Sequence, residues 1–374
     1  MGNRAFVSVT NDLYTDNRVN KICLFLMDQG YHVTLIGRVK ADSSPLNDRP
    51  YATKRFKLLW EKGPKFYAAY NVRLFFYLLF RRADLLVAND LDTLAANYLA
   101  SKFKFKVRLV YDSHEYFTQV PELIHRPKTQ KIWERIEEFI FPRLKTVYTV
   151  NQSIANIYSE KYKKEVDVVR NISPSWRPNS IPSRKELGLP EHQVLVILQG
   201  AGINIDRGAE EAVEAMKLLM DVTLLFVGNG DVIEQLEEKV KAEKLENRVL
   251  FFGKRPYNEM MAFTHHADLG LTLDKPTSDN YRYSLPNKVF DYIHAETPII
   301  GTNLIEVAHV ITTHQVGTVL SDLTPENLAN AIRHYQEHPD FLLTQKANCR
   351  VAAASENWEK EQEVLKKIYP RIEQ

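Results

Sequence analysis

A histidine stands at the end of a buried strand with acids on both sides. Val107–Tyr111 runs directly into Asp112-Ser113-His114-Glu115-Tyr116-Phe117. A histidine so placed can donate to a sugar hydroxyl or a carbonyl, or move a proton. The other reading is a histidine that only bonds the backbone, and the flanking Asp112 and Glu115 weigh toward chemistry. No second His or Cys sits nearby at ligand spacing, so no metal site is expected. A second group lies further on. Gly200 and Gly202 follow another buried strand, and Arg207-Gly208 leads into a helix. Glycines let a backbone approach a phosphate closely, and an arginine offers planar, paired donors. In the stretch YRYSLPNKVFDYIHAETPIIG, Tyr281–Gly301, Pro286 suits a first helical turn, Lys288 adds a charge at that end and Asp291 follows one turn in. A helix start of this kind can hold a phosphate, and Asp291 can reach a hydroxyl pair such as a ribose. The same residues also describe an ordinary Pro-started helix with a surface Lys and Asp. Gly228 and Gly230 form a similar turn, with Gly230 read as structural.

The elements that must position these residues alternate between strand and helix. Ala5–Val9 reads as a strand, followed by the polar loop TNDLYTDN, which contains Asn11. A helix over 18–29 carries Val19, Ile22, Cys23 and Leu26 on one face and ends at Gly30, and Val33–Gly37 is the next strand. This βαβ opening is the parallel-sheet signature, and its first loop lacks the glycines of a dinucleotide fingerprint. Strands over 84–88, 107–111, 145–150 and 166–169 complete the first half, with Asn151 capping a helix. Pro174, Pro178, Pro182 and Pro190 mark a boundary. The second half repeats the plan, with strands over 194–198, 222–227, 248–252, 268–273, 298–301 and 316–320 and a last helix over 357–369.

The 374 residues suit two domains, and 44% apolar with 26% charged residues describes a globular chain. A net charge of +2 gives no global field for nucleic acid. Cys23 and Cys349 are read as core residues in a reducing compartment. No signal peptide is visible. Residues 54–82 are basic and aromatic, with Glu61 the single acid. At helical spacing they suit either a bilayer interface or a helix packed on the sheet with its charges solvated, and most of the rings are assigned to packing.

The chain resembles a family 4 glycosyltransferase of the GT-B fold, close to the bacterial surface-polysaccharide and lipid-linked-glycan enzymes. The stretches that carry the resemblance are NRVNKICLFLMDQGYHVTLIG, YDSHEYF, QGAGINIDRG with the helix after it, VGNGD, FFGKRPYNEM and LPNKVFDYIHAETPII. Their order and spacing, spread over nearly the whole chain, are more specific than any one of them. The resemblance implies two Rossmann-like α/β domains facing a central cleft. Residues 1–172 would form the acceptor side and 173–355 the nucleotide-sugar side, and 356–374 would form a helix returning to the first domain.

It further implies metal-independent transfer from a nucleotide diphosphate sugar, UDP or GDP type, with retention at the anomeric carbon and no cofactor. His114 matches the histidine that touches the donor sugar, Asp291 the ribose-binding carboxylate and Arg207 the basic residue on the diphosphate. Lys288 of LPNK, beside Asn287, joins the donor site, and Gly253–Arg255 match the loop that holds the base. Asp112, Glu115, Asn11 and Tyr283 are candidate sugar or acceptor contacts. The sequence departs from the family pattern at Tyr283, where the first carboxylate of the pair belongs, at GAGINI upstream of Arg207, and at Thr297, where glycine is usual. The expected acceptor is a glycan or lipid-linked glycan, and the expected location is the cytoplasm, at the inner face of the membrane where residues 54–82 meet one. The alternatives are a nucleotide-sugar epimerase of the same fold and a catalytically silent nucleotide-binding partner.

Overall fold

The computed structural model describes residues 3–372 except 15, 42, 44 and 47. The chain divides into two compact units, one of residues 1–171 with 361–374 and one of residues 172–360.

The first unit contains β1 (Arg4–Asp12), α1 (Asn17–Asp28), β2 (His32–Val39), β3 (Ala52–Lys57), α2 (Gly63–Leu79), β4 (Leu85–Asn89), α3 (Leu91–Lys102), β5 (Arg108–Ser113), α4 (Pro121–Ile124), α5 (Pro127–Ile140), β6 (Thr146–Thr149), α6 (Gln152–Tyr162) and β7 (Asp167–Val168). Its seven strands pair in the order β3-β2-β1-β4-β5-β6-β7, all parallel. The central strands are apolar runs because helices cover both faces of such a sheet. Asn151 caps α6 by accepting from the Ile154 amide at 2.9 Å.

Residues 54–82 are not one helix. Lys54, Arg55 and Lys57 lie on β3, an edge strand, where charge discourages pairing with another chain. The helix begins only at Gly63, with Pro64 in its first turn. Phe56, Phe66, Tyr70, Leu74 and Leu78 join the core over the sheet. The strand escapes a periodicity reading because only Phe56 in it is buried.

The second unit contains β8 (Val194–Gly200), α7 (Ala209–Ala215), β9 (Val222–Gly228), α8 (Ile233–Ala242), β10 (Val249–Phe251), α9 (Tyr257–His266), β11 (Leu269–Thr272), α10 (Asp279–Arg282), α11 (Lys288–His294), β12 (Ile299–Thr302), α12 (Ile305–His314), β13 (Gly317–Leu320), α13 (Pro325–Glu337) and α14 (Pro339–Ala353). The six strands run β10-β9-β8-β11-β12-β13, with one core cluster centred on Leu198, Leu224 and Leu271 and another on Ile197, Leu225 and Ile299. These neighbours along one strand alternate between the two faces. A final helix, α15 (Trp358–Ile368), leaves the second unit, and its residues from Glu361 onward belong to the first. There Arg170 donates to Glu361 at 2.7 and 3.0 Å, and the Tyr369 hydroxyl lies 3.3 Å from that of Tyr148.

Both sheets have the doubly wound order, in which the chain starts centrally and then turns to the other side. The switch lies between β1 and β4 in one unit and between β8 and β11 in the other. Loops leaving the strand ends there diverge and leave a crevice for ligands. Among the described residues, no helix is long and apolar enough to cross a membrane.

Candidate active site

At the switch point of the second sheet, β8 ends at Gly200 with φ +139°, a conformation that favours glycine. A Cβ on Gly228 would sit 1.8 Å from the Gly200 carbonyl oxygen, so β9 can end against β8 only with glycine at 228. Gly230 is likewise packed, since its Cβ would fall 1.9 Å from Ile203 O. Gly202 is not crowded in this way. Its nearest neighbour would be Asn204 Nδ2 at 3.8 Å.

The cationic pair gathers beside Gly200. Arg207 donates to Asp274 Oδ1 at 2.8 Å, and its guanidinium lies 4.6 Å from the Tyr281 ring centroid. Asp274 follows β11 and is fully buried, with Oδ2 lacking any partner. Lys288 opens α11, and its Cε would lie 3.8 Å from a Cβ on Gly200. Burial pushes the Lys288 ammonium below the ordinary lysine range; Asp274 opposes that, and neighbouring Arg207 adds to it. Two cations shared with one carboxylate leave an excess of positive charge, which a bound anion would neutralise.

Other expected donor-site residues sit differently. Pro286 lies outside the helix, because Asn287 is the N-cap and Lys288 the first helical residue. The Asn287 side chain is exposed and makes no capping bond. Arg255 is exposed, donating to Phe252 O at 3.0 Å. Tyr283 ends α10, its amide donating to Asp279 O at 3.1 Å. Asp291 is buried inside its own unit. Its Oδ1 accepts from Ser173 Oγ at 3.0 Å and Tyr257 Oη at 2.9 Å, and its Oδ2 from Gln199 Nε2 at 3.3 Å. This predicts a stability role in addition to any ribose contact. Asp291→Ala should cost on the order of 1–3 kcal/mol, because buried Gln199 and the part-exposed Ser173 and Tyr257 hydroxyls lose their acceptor. Denaturant unfolding without nucleotide checks it: an unchanged midpoint would leave Asp291 a ligand contact alone.

The first unit places its charges at its own switch point. The His114 amide donates to Asp90 Oδ1 at 2.8 Å. The His114 ring nitrogens lie 3.3 Å from Asp90 (Nδ1) and from Asp112 (Nε2), and Nε2 is 3.1 Å from Asn89 Oδ1. Burial opposes charging this ring, yet Asp90 and Asp112 outweigh it and raise His114 to about 9. Asp112, expected as a sugar or acceptor contact, is instead fully buried and gripped by Arg18 at 2.7 and 3.3 Å. Burial would raise its carboxyl, but Arg18 and His114 prevail and hold it at about 2.

Residues not singled out in the sequence complete this site. Asp90 has φ +58° and ψ 166°, a region almost reserved for glycine, so the fold sustains local strain to aim this carboxylate. Asp92, in the first turn of α3, accepts from the Thr10 hydroxyl. Burial raises both carboxyls to about 7, with Asp92 adding to the effect on Asp90 and Glu115 to that on Asp92, while His114 pulls the other way on both. Asn89-Asp90 ends a buried strand, so the strand-end argument applied to His114 reaches it too. Asp90, Asp92, Glu115 and Asn11 line a cavity of about 670 Å³ within this unit, walled by Phe66, Tyr67, Phe117 and Trp133 and edged by Arg38 and Arg126. Rings against carboxylates suit a ligand with apolar faces and many hydroxyls. Among the described residues, no group of three or more His, Cys, Asp or Glu side chains could hold a metal.

Comparison with known proteins agrees with this architecture. Residues 17–172 match the family described as Glycosyltransferase Family 4, and residues 181–355 match Glycosyl transferases group 1. No curated protein matches the sequence significantly. Sucrose-phosphate synthase from Thermosynechococcus elongatus superposes with a TM-score of 0.78 at 18% identity, covering 99% of this chain and 98% of that one. WaaG, a glycosyltransferase involved in lipopolysaccharide biosynthesis, gives 0.72 at 18% identity over 98% and 99%. Anabaena HepE in complex with UDP gives 0.71 at 15% identity over 98% and 99%. Both family matches describe transferases. The chain is a glycosyltransferase of the GT-B fold, its first half of the family 4 type and its second of the group 1 type.

Proposed function

We propose that this transferase moves a sugar from a nucleotide diphosphate sugar, UDP or GDP type, to a glycan or lipid-linked acceptor, with retention of anomeric configuration and without a protein-bound metal or cofactor. The observation that carries the donor is the cationic pair Arg207 and Lys288 beside Gly200 at the switch point of the second sheet. HepE, which shares the fold, binds UDP and UDP-glucose, and this supports the choice of a nucleotide donor. Loss of the sugar breaks the bond from its anomeric carbon to the diphosphate oxygen. The electron pair leaves on the diphosphate, where fixed positive charge stabilises the developing anion, while an acceptor hydroxyl oxygen bonds the anomeric carbon and its proton passes to the departing diphosphate. Asn287 and Arg255 are assigned to the nucleotide, Asp291 to its ribose and Gly202 to the phosphate loop. Tyr283, Glu115 and Asn11 are assigned to the sugars. The acceptor occupies the cavity of the first unit. The end of α2, where the Phe76 and Phe80 rings are exposed, meets the inner face of a membrane.

A panel of UDP- and GDP-sugars, followed by thermal unfolding, tests the donor. A true donor present at about 100 times its Kd stabilises by ~2.7 kcal/mol. Stabilisation by none of them overturns the donor assignment. The anomeric configuration of the product, read by proton coupling constants, decides retention.

A further inference from the structure

Two segments distant in sequence meet on the surface of the first unit. On α2 and its C-cap residue Phe80, Ala68, Val72, Phe76 and Phe80 recur at helical i, i+4 spacing and are all exposed, Phe80 by 77%. At the end of α3 and just beyond it, Lys102-Phe103-Lys104-Phe105-Lys106 exposes Phe103 by 71% and Phe105 by 88%. The two are one surface, because the Phe75 ring packs on Phe103 at 6.0 Å and on Phe76 at 5.2 Å. Lys104 fixes the junction by donating to the Leu79 carbonyl at 3.2 Å, which closes the open end of α2. The rings therefore stand on a rigid support.

The segments that carry them are basic. Residues 62–83 hold five basic residues and no acid, and residues 99–108 hold four and no acid, in a chain whose net charge is +2. Arg81 lies over the Tyr77 ring at 3.7 Å and Lys102 over Tyr98 at 4.7 Å. Such stems cover apolar surface while their heads stay in water. Contiguous apolar exposure of this kind marks an interaction surface. Phenylalanines interleaved with basic side chains complement a hydrocarbon boundary beneath anionic headgroups.

We propose that the surface formed by the end of α2 and the 102–106 turn docks on an anionic lipid bilayer. Phe76, Phe80, Phe103 and Phe105 enter the interface, and Arg81, Lys102 and Lys106 meet the headgroups. This names the surface behind the membrane contact of the proposed function. It does not depend on the donor.

The full chain is sedimented with phosphatidylcholine vesicles, with and without one-third phosphatidylglycerol. The expected result is binding only to the anionic vesicles, weakened by salt. Phe103→Ser with Phe105→Ser should reduce binding tenfold or more, and Lys102→Glu with Lys106→Glu should abolish the preference for anionic lipid. Thermal midpoint and UDP affinity stay as in the unaltered chain in both variants. No binding to anionic vesicles, or equal binding by the variants, overturns the proposal. A concentration-dependent dimer that the phenylalanine variant dissolves, without vesicle binding, also overturns it and assigns the surface to a second copy. Loss of UDP binding in every form would speak against the donor site and leave this result readable.

Discussion

Lys288→Ala should weaken binding of the nucleotide diphosphate by on the order of 10- to 100-fold, the loss of one charge-assisted contact. Binding of the bare nucleoside should hardly change. The reasoning starts from what Lys288 does without ligand. Among the described residues it makes no ion pair, and burial pushes its ammonium down, with Asp274 pulling it up and Arg207 adding to the fall. A diphosphate would remove that penalty, so the ligand gains what the free protein forgoes. Two consequences separate this from a structural role. The variant without ligand should be as stable as the parent or more so, since a poorly solvated charge has been removed. Affinity should also fall as pH rises, because deprotonated Lys288 attracts no phosphate. Arg207→Ala is a less clean test. Arg207 also neutralises buried Asp274, and breaking such a pair costs about 3–5 kcal/mol. Its loss should therefore lower both stability and diphosphate affinity. Isothermal calorimetry with UDP and GDP, beside uridine and guanosine, reads the contrast. Equal losses for diphosphate and nucleoside would remove Lys288 from the phosphate site.

The fold is legible in the sequence because the parallel strands are buried on both faces. Runs such as Val194–Leu198 and Val222–Val227 therefore announce themselves without periodicity, and polar residues begin where each strand leaves the sheet. That rule locates His114 and Gly200. It fails at β3, whose exposed edge requires charge and hides the alternation. It also mistakes Asp112 for an open residue. Its carboxylate meets the His114 ring, but Arg18, contributed from α1, covers it, and nothing local in the sequence announces that partner. Asp291 shows the same limit. Its place in a helical first turn is readable, but its three partners come from residues 173, 199 and 257. The aromatic-basic surface is half legible, since α2 carries it openly. The 102–106 turn joins it only through the packing of Phe75 on Phe103.

Replacing His114 with alanine should lower turnover by about 10²-fold, the range for losing a group that positions a reactant. Affinity for the nucleotide diphosphate alone should stay close to that of the parent, because that ligand lacks the sugar. The geometry narrows the role. With its pKa raised to about 9, the ring is already protonated at neutral pH and cannot serve there as a base. Both nitrogens face carboxylates, so the ring is a fixed positive group held by Asp90 and Asp112. Its charge also links stability to pH. The folded value lies above the ordinary 6.5, so His114 contributes fully below about 6.5 and its contribution is lost as pH rises through 9. Asp112, held at about 2, contributes above 3.8 and is lost only as pH falls through 2. His114 should therefore contribute a loss of stability between pH 6.5 and 9 of roughly 3 kcal/mol at most, on top of the loss below about 7 that the raised carboxyls of Asp90 and Asp92 contribute. His114→Gln should remove the ring's share of that fall, while Asp90 and Asp92, no longer pulled down by the ring, titrate higher. It keeps a neutral hydrogen-bonding side chain, so turnover recovered by Gln but not by Ala would assign the effect to placement, and turnover lost in both would assign it to the charge. A variant that loses the pH-dependent stability yet turns over donor normally would make His114 a strut for Asp90. The search for the sugar contact would then move to the strained Asp90 itself and to Asp92, which line the cavity beside it.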